Sequence, residues 1–136
     1  RSAGRGEIMR IAVSVEGAGD TAVVSPRFGR SAGSMLFDVE SGRQELAPAA
    51  EMSSIGRGLG SGAGVATAQS LTDAGVDAVI AGNFGPNAVS VLRSAGIKMY
   101  AAAPLPAVKA VEELLAGRLM AVAGATTPSH SGLRRD

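Results

Sequence analysis

Residues 75–100, GVDAVIAGNFGPNAVSVLRSAGIKMY, decide the fold. Val76 to Ala81 is a short, apolar, β-branched run bounded by glycines, the pattern of a strand covered on both faces; the strand is placed at 77–81. Pro86 suits the first helical position, where a missing N–H costs nothing, and Gly96 suits the left-handed stop after the last turn. A second strand starts at Ile97. The turn at 82–85, Gly-Asn-Phe-Gly, then stands at the carboxyl end of a strand and the amino end of a helix. Open α/β sheets bind ligands at that position, and free N–H groups there favour anions.

Outward from this unit, the same device recurs. Residues 63–74 predict a helix with Val65, Ala68 and Leu71 on one stripe and Gly75 as its stop. Pro104 and Pro106 break the chain and open a third helix over 106–116, which Gly117 ends. Residues 118–123 read as a short edge strand. Upstream, residues 9–15 alternate, with Ile11, Val13 and Val15 on one side and Ala12 and Ser14 on the other. A long loop over 16–30 leads into a second strand at 34–39. Ser41-Gly42 is a tight turn, and 43–47 is expected to pair back as a third strand of a hairpin. Residues 48–64 read as a loop, with five glycines between Gly56 and Gly64. A loop this long in a compact domain is usually functional. The expected organisation is a flexible leader over 1–8, one domain over 9–123 and a disordered tail over 124–136. An antiparallel start joined to a parallel finish makes one mixed sheet with helices on its faces.

Composition narrows the chemistry. The 136 residues include no cysteine, which excludes disulfides, thiolate ligands and cysteine nucleophiles from this chain. The single histidine, His130, lies in the polar tail, so no histidine cluster forms within one chain. A formal net charge of +1 argues against a nucleic-acid partner held by a broad basic surface. No apolar run approaches the ~18 residues of a membrane span, and no signal peptide opens the chain, so the expectation is a cytoplasmic protein without a membrane partner.

Four constellations are candidates for function. Ser25-Pro26-Arg27-Phe28-Gly29-Arg30 sets two guanidinium groups around a Phe-Gly pair, suited to gripping an anion; from the residues alone a solvated turn with Phe28 plugging the core is the commoner reading. The glycine-rich run lacks the Lys-Ser/Thr of a phosphate-binding loop and no apolar strand precedes it, so a flap over a site is preferred to a nucleotide cradle. Asn83 and Asn87 beside a helix amino end are either ligand contacts or turn and capping residues. The carboxylates, Glu16, Asp20, Asp38, Asp73, Asp77, Glu112 and Glu113 among them, form no paired-acid pattern and read mostly as solvated charges. With no nucleophile–base pair, the chain reads as a non-enzyme.

Taken together, SPRFGR at 25–30, GVDAVIAG at 75–82 and GPNA at 85–88, in this order and with the strand MRIAVSV before them, resemble the dinitrogenase iron–molybdenum cofactor biosynthesis family. The resemblance covers about residues 9–122. It implies a ribonuclease-H-like, three-layer α/β fold with a five-stranded mixed sheet. It also implies a carrier role for an iron–sulfur or iron–molybdenum–sulfur cluster or its precursor, exchanged with donor and acceptor proteins. Carried over by residue, the expected contacts are Arg27, Phe28, Gly29, Arg30, Gly62, Gly64, Asn83 and Gly85. Members that hold clusters often supply Cys or His, commonly a His where Arg27 stands. This chain offers neither there, so binding is expected to be outer-sphere, through guanidinium and backbone N–H groups. The alternative is a regulatory or protein-interaction domain that takes a small anion.

Overall fold

Strand alternation, glycine stops and one proline start build a single mixed sheet with helices on both faces. The computed structural model describes residues 8–17, 22–26, 28, 33–40, 48–53 and 63–122. Its elements in chain order are β1 (Ile8–Glu16), β2 (Val23–Val24), β3 (Gly33–Glu40), β4 (Pro48–Ser53), α1 (Ala63–Asp73), β5 (Ala78–Ala81), α2 (Pro86–Ser94), β6 (Lys98–Ala101), α3 (Ala107–Leu115) and β7 (Met120–Ala121). The sheet runs β4-β3-β1-β5-β6-β7, with β2 paired to β1 beside this path. β1, β5 and β6 are mutually parallel; the other pairings are antiparallel.

The residues of β1 alternate between two cores. Ala12 joins Leu36, Val79, Ala81 and Met99 under α1 and α2, which contribute Ala68, Leu71, Ala88, Val89 and Leu92. Ile11, Val13 and Val15 join Met35, Phe37, Ala78 and Ile80 under α3, with Ala107, Ala110 and Val111. All four residues of β5 are buried, as the continuous apolar run requires of a strand covered twice. Gly75, Gly96 and Gly117 sit at φ of +77°, +77° and +79°, the left-handed stops that the sequence predicts.

Three expectations change. Among the described residues the sheet has seven strands, not five; five have four or more residues, while β2 and β7 have two each. The third strand is β4 over 48–53, within the stretch read as loop, while the expected strand at 43–47 lies outside the described residues. Pro48 is tolerated because β4 is an edge strand, where a missing N–H breaks no inner ladder. The first strand also begins one residue inside the expected leader, Ile8 pairing with Glu40.

Two carboxylates read as solvated are instead clamps at the amino edge of the parallel strands. Asp77 accepts the Arg10 backbone N–H at 2.8 Å, and its own N–H donates to the Arg10 carbonyl at 2.8 Å. The Arg10 guanidinium donates to Asp38 from Nε at 2.7 Å and Nη2 at 2.9 Å, and to the Ala74 carbonyl at 2.9 Å. One side chain thereby ties β1, β3 and the end of α1 together. Hydrogen bonding to Arg10 above all holds the Asp38 carboxyl below the usual carboxylate range; partial desolvation opposes this and the Arg10 charge assists. A depressed folded-state pKa adds stability above the unfolded value, and that stability is lost as pH falls through the folded value. The pair is 38% and 32% exposed, so Asp38→Asn should cost only about 0.5 kcal/mol at neutral pH. As pH falls below the ordinary aspartate value of about 3.9, the gap to the native chain should close. Urea melts at pH 7 and pH 3 read this, and a gap unchanged at pH 3 would refute the charge pairing.

Candidate functional site

Three chain segments meet where β1 and β5 end. β2 is held by Val24 N–H on the Leu105 carbonyl at 2.8 Å, and Ser25 N–H donates to the Ser14 carbonyl of β1 at 2.7 Å. The Ser25 hydroxyl donates to Glu16 at 3.2 Å. Just past β5, Gly82 N–H donates to the Ser25 carbonyl at 2.8 Å and Phe28 N–H to the Asn83 carbonyl at 3.0 Å. The Asn83 side-chain amide adds a bond to the Pro26 carbonyl at 3.2 Å. Beneath these bonds, the buried rings of Phe28 and Phe84 stack at 5.4 Å between centroids, 27° apart.

Gly82 is where this junction demands glycine. A Cβ there would stand 2.7 Å from the Pro26 Cα and 3.0 Å from its carbonyl oxygen, closer than carbon atoms pack. The next element, α2, opens with Gly85 as extended N-cap and Pro86 in its first turn, with no side-chain cap. Its first-turn N–H groups are therefore left for solvent or a ligand. α1 starts on the same edge. Only four residues separate its last residue, Asp73, from Ala78, so it ends where β5 begins and runs back ~16 Å antiparallel to it.

Of the residues expected from sequence, Phe28, Asn83 and Gly85 are brought together here. Phe28 is placed in the core with its ring 5% exposed, and Asn83 uses its amide to hold the loop. Gly64 is the second residue of α1. Arg27, Gly29, Arg30 and Gly62 lie outside the described residues. The flanks of position 27, Pro26 and Phe28, are both fixed to the turn after β5. Sequence reasoning named Ser25 within the 25–30 constellation but missed Glu16 as its partner in the junction. A carboxylate on the last residue of an alternating strand, facing a loop serine, carries no local signature.

No group of three or more His, Cys, Asp or Glu able to hold a metal ion occurs among the described residues. With no cysteine in the chain, soft thiolate ligation is absent from this chain altogether. Beside the junction, the uncapped first-turn N–H groups of α2 suit an anion held by its outer atoms. A groove of about 320 Å³ lined by Arg93, Lys98, Met99 and Tyr100 lies at the other end of α2, away from the junction. No helix of the described residues is long and apolar enough to cross a membrane.

The chain is thus a mixed α/β protein whose loop junction lies at the carboxyl edge of its parallel strands. The model of the dinitrogenase iron–molybdenum cofactor family matches residues 9–117, and the chain belongs to that family. An uncharacterized protein of Methanocaldococcus jannaschii is 30% identical over 113 residues, 83% of this chain and 91% of its own. The orange protein of Desulfovibrio gigas, solved in its apo form, matches with a TM-score of 0.74 at 32% identity, covering 90% of this chain and 99% of that one. A Thermotoga protein provisionally described as NifB, solved by NMR, matches at 0.67 and 30%, covering 88% and 97%.

Proposed function

We propose that the chain is a non-catalytic carrier for an anionic iron–sulfur or iron–molybdenum–sulfur cluster, or its precursor. The cluster is its cargo, taken from a donor protein and passed to an acceptor in the cytoplasm. One observation carries this reading. Three hydrogen bonds, Gly82 to Ser25, Phe28 to Asn83 and Asn83 to Pro26, pin the two flanks of Arg27 beside the uncapped amino end of α2. Arg27, Arg30 and first-turn N–H groups would complement the negative charge on the cluster's outer atoms, without any side chain ligating the metal. Gly29, Gly62 and Gly64, having no side chain, would let backbone approach such a cargo. The order of the five longer strands, β4-β3-β1-β5-β6, supports the ribonuclease-H-like reading of the sheet.

The test is anaerobic incubation with such a cluster, desalting, and assay of retained iron and sulfide with visible absorption. The native chain should retain colour and iron, less so as salt rises, because the attraction is screened. Arg27→Ala with Arg30→Ala should weaken retention on the order of 10- to 100-fold. Iron no higher than in a denatured control would sink the carrier reading. Retention untouched by the double change would sink the assignment of the two arginines.

A further inference from the structure

Two buried hydroxyls are left without work by the packing. Ser14 of β1 is fully buried and Thr67 of α1 is 7% exposed, and neither side-chain oxygen reaches solvent or a hydrogen-bond partner among the described residues. Ser34 stands directly opposite Ser14 in the β1–β3 register and still supplies no bond to it. An unpaired buried hydroxyl carries its full desolvation penalty, whereas alanine or valine of similar shape would not. Residues kept against stability in this way are expected at sites of function.

Both hydroxyls belong to one face of the sheet, Ser14 near the carboxyl end of β1 and Thr67 in the second turn of α1. Side chains of β1 alternate, Ile11, Val13 and Val15 facing α3 and Ala12 facing α1 and α2. Ser14 continues the row of Ala12 toward the carboxyl end of the strand. Thr67 lies one turn before Leu71, whose side chain packs with Ala12 in that same core. Helical side chains tilt toward the amino end, so the Thr67 hydroxyl leans toward the start of α1. The main chain of Ser14 is also part of the junction, its carbonyl accepting Ser25 N–H at 2.7 Å. No acidic residue stands in the first turn of α1 to oppose an anion.

We infer that Ser14 and Thr67 are hydrogen-bond donors to a compact tetrahedral oxyanion, of phosphate or molybdate size, at the carboxyl edge between β1 and the first turns of α1. This deepens the carrier reading and rests on it for the anionic character of the cargo. Two neutral hydroxyls and the helix amino end supply donors on adjacent sides of a tetrahedral anion, with no ligation of its central atom. Both oxygens are shielded in this structure, so binding requires α1 to shift away from β1 and to carry its first-turn N–H groups with it.

Calorimetric titration of the full chain with sodium molybdate and, separately, sodium phosphate tests this beside Ser14→Ala, Thr67→Val and Thr67→Ser. Each of the first two should weaken binding roughly tenfold or more while leaving the anion-free melting temperature equal or higher. Thr67→Ser, which keeps the hydroxyl, should bind like the native chain. The inference is overturned if the native chain binds neither anion, or if the hydroxyl-free variants bind as well as it does, as a trapped water would give. Variants that melt several degrees lower overturn it too, for the hydroxyls would then be structural. The two readings separate cleanly. Hydroxyl-dependent molybdate binding without cluster retention removes the carrier reading alone; cluster retention without oxyanion binding removes this inference alone.

Discussion

Replacing Phe84 by alanine should cost about 3–5 kcal/mol, a large share of the ~5–15 kcal/mol that holds a domain of this kind together. Phe84 is fully buried and stacks on Phe28 at 5.4 Å. With only three phenylalanines and no tryptophan in the chain, no other aromatic ring backs this pair, since Phe37 belongs to the opposite core. The core around Phe84 is otherwise aliphatic and rich in alanine, side chains too small to close over the space a ring leaves. Phe84→Leu, nearer in volume, should cost under ~2 kcal/mol. In a double-mutant cycle with Phe28→Ala the two rings should couple by about 0.5–1.5 kcal/mol, because they lose one shared contact. Urea unfolding measures all four proteins. A cost below about 1 kcal/mol for Phe84→Ala would mean that the rings merely accompany the junction, which would then rest on its hydrogen bonds.

The parallel half of the molecule was legible because local and tertiary signals agree there. Gly75, Gly96 and Gly117 end helices in a conformation that costs glycine little, and the apolar runs after them have nowhere to go but the sheet. The antiparallel half was read less well. β2 is two residues long, too short to show a period, and it is fixed from outside by the Leu105 carbonyl and a bridge to Pro106. β4 begins on a proline and precedes a glycine-rich run, so local preference argues for a loop and pairing with β3 overrides it. At the site, the turn after β5 was visible as a location because strand, glycine turn and helix follow one another in sequence. Its partners were not. That Gly82 faces Pro26, or that Arg10 reaches both Asp38 and the Ala74 carbonyl, depends on which strands lie side by side, and the sequence pattern does not carry that order.

Gly82→Ala should cost about 1–3 kcal/mol in stability and should disrupt the junction beyond that cost. The atoms in the way are backbone atoms of Pro26, at 2.7, 3.0 and 3.1 Å from the added carbon, so no side chain can swing aside. The proline ring also limits how the loop can retreat, because its φ is fixed. Any retreat must stretch the Gly82–Ser25 bond and the two bonds joining Asn83 to Pro26 and Phe28. Those bonds fix the flanks of Arg27, so cluster retention should fall by more than the fraction of unfolded chain explains. Gly85→Ala is the stability control: a Cβ there meets nothing within 4 Å, and its φ of −79° suits any residue. It should therefore be neutral or stabilising by up to ~1 kcal/mol. Equal losses of stability in the two variants would show that close approach at Gly82 is not what joins the loops. A stable Gly82→Ala chain that still retained cluster at the native level would place the cargo elsewhere on the molecule.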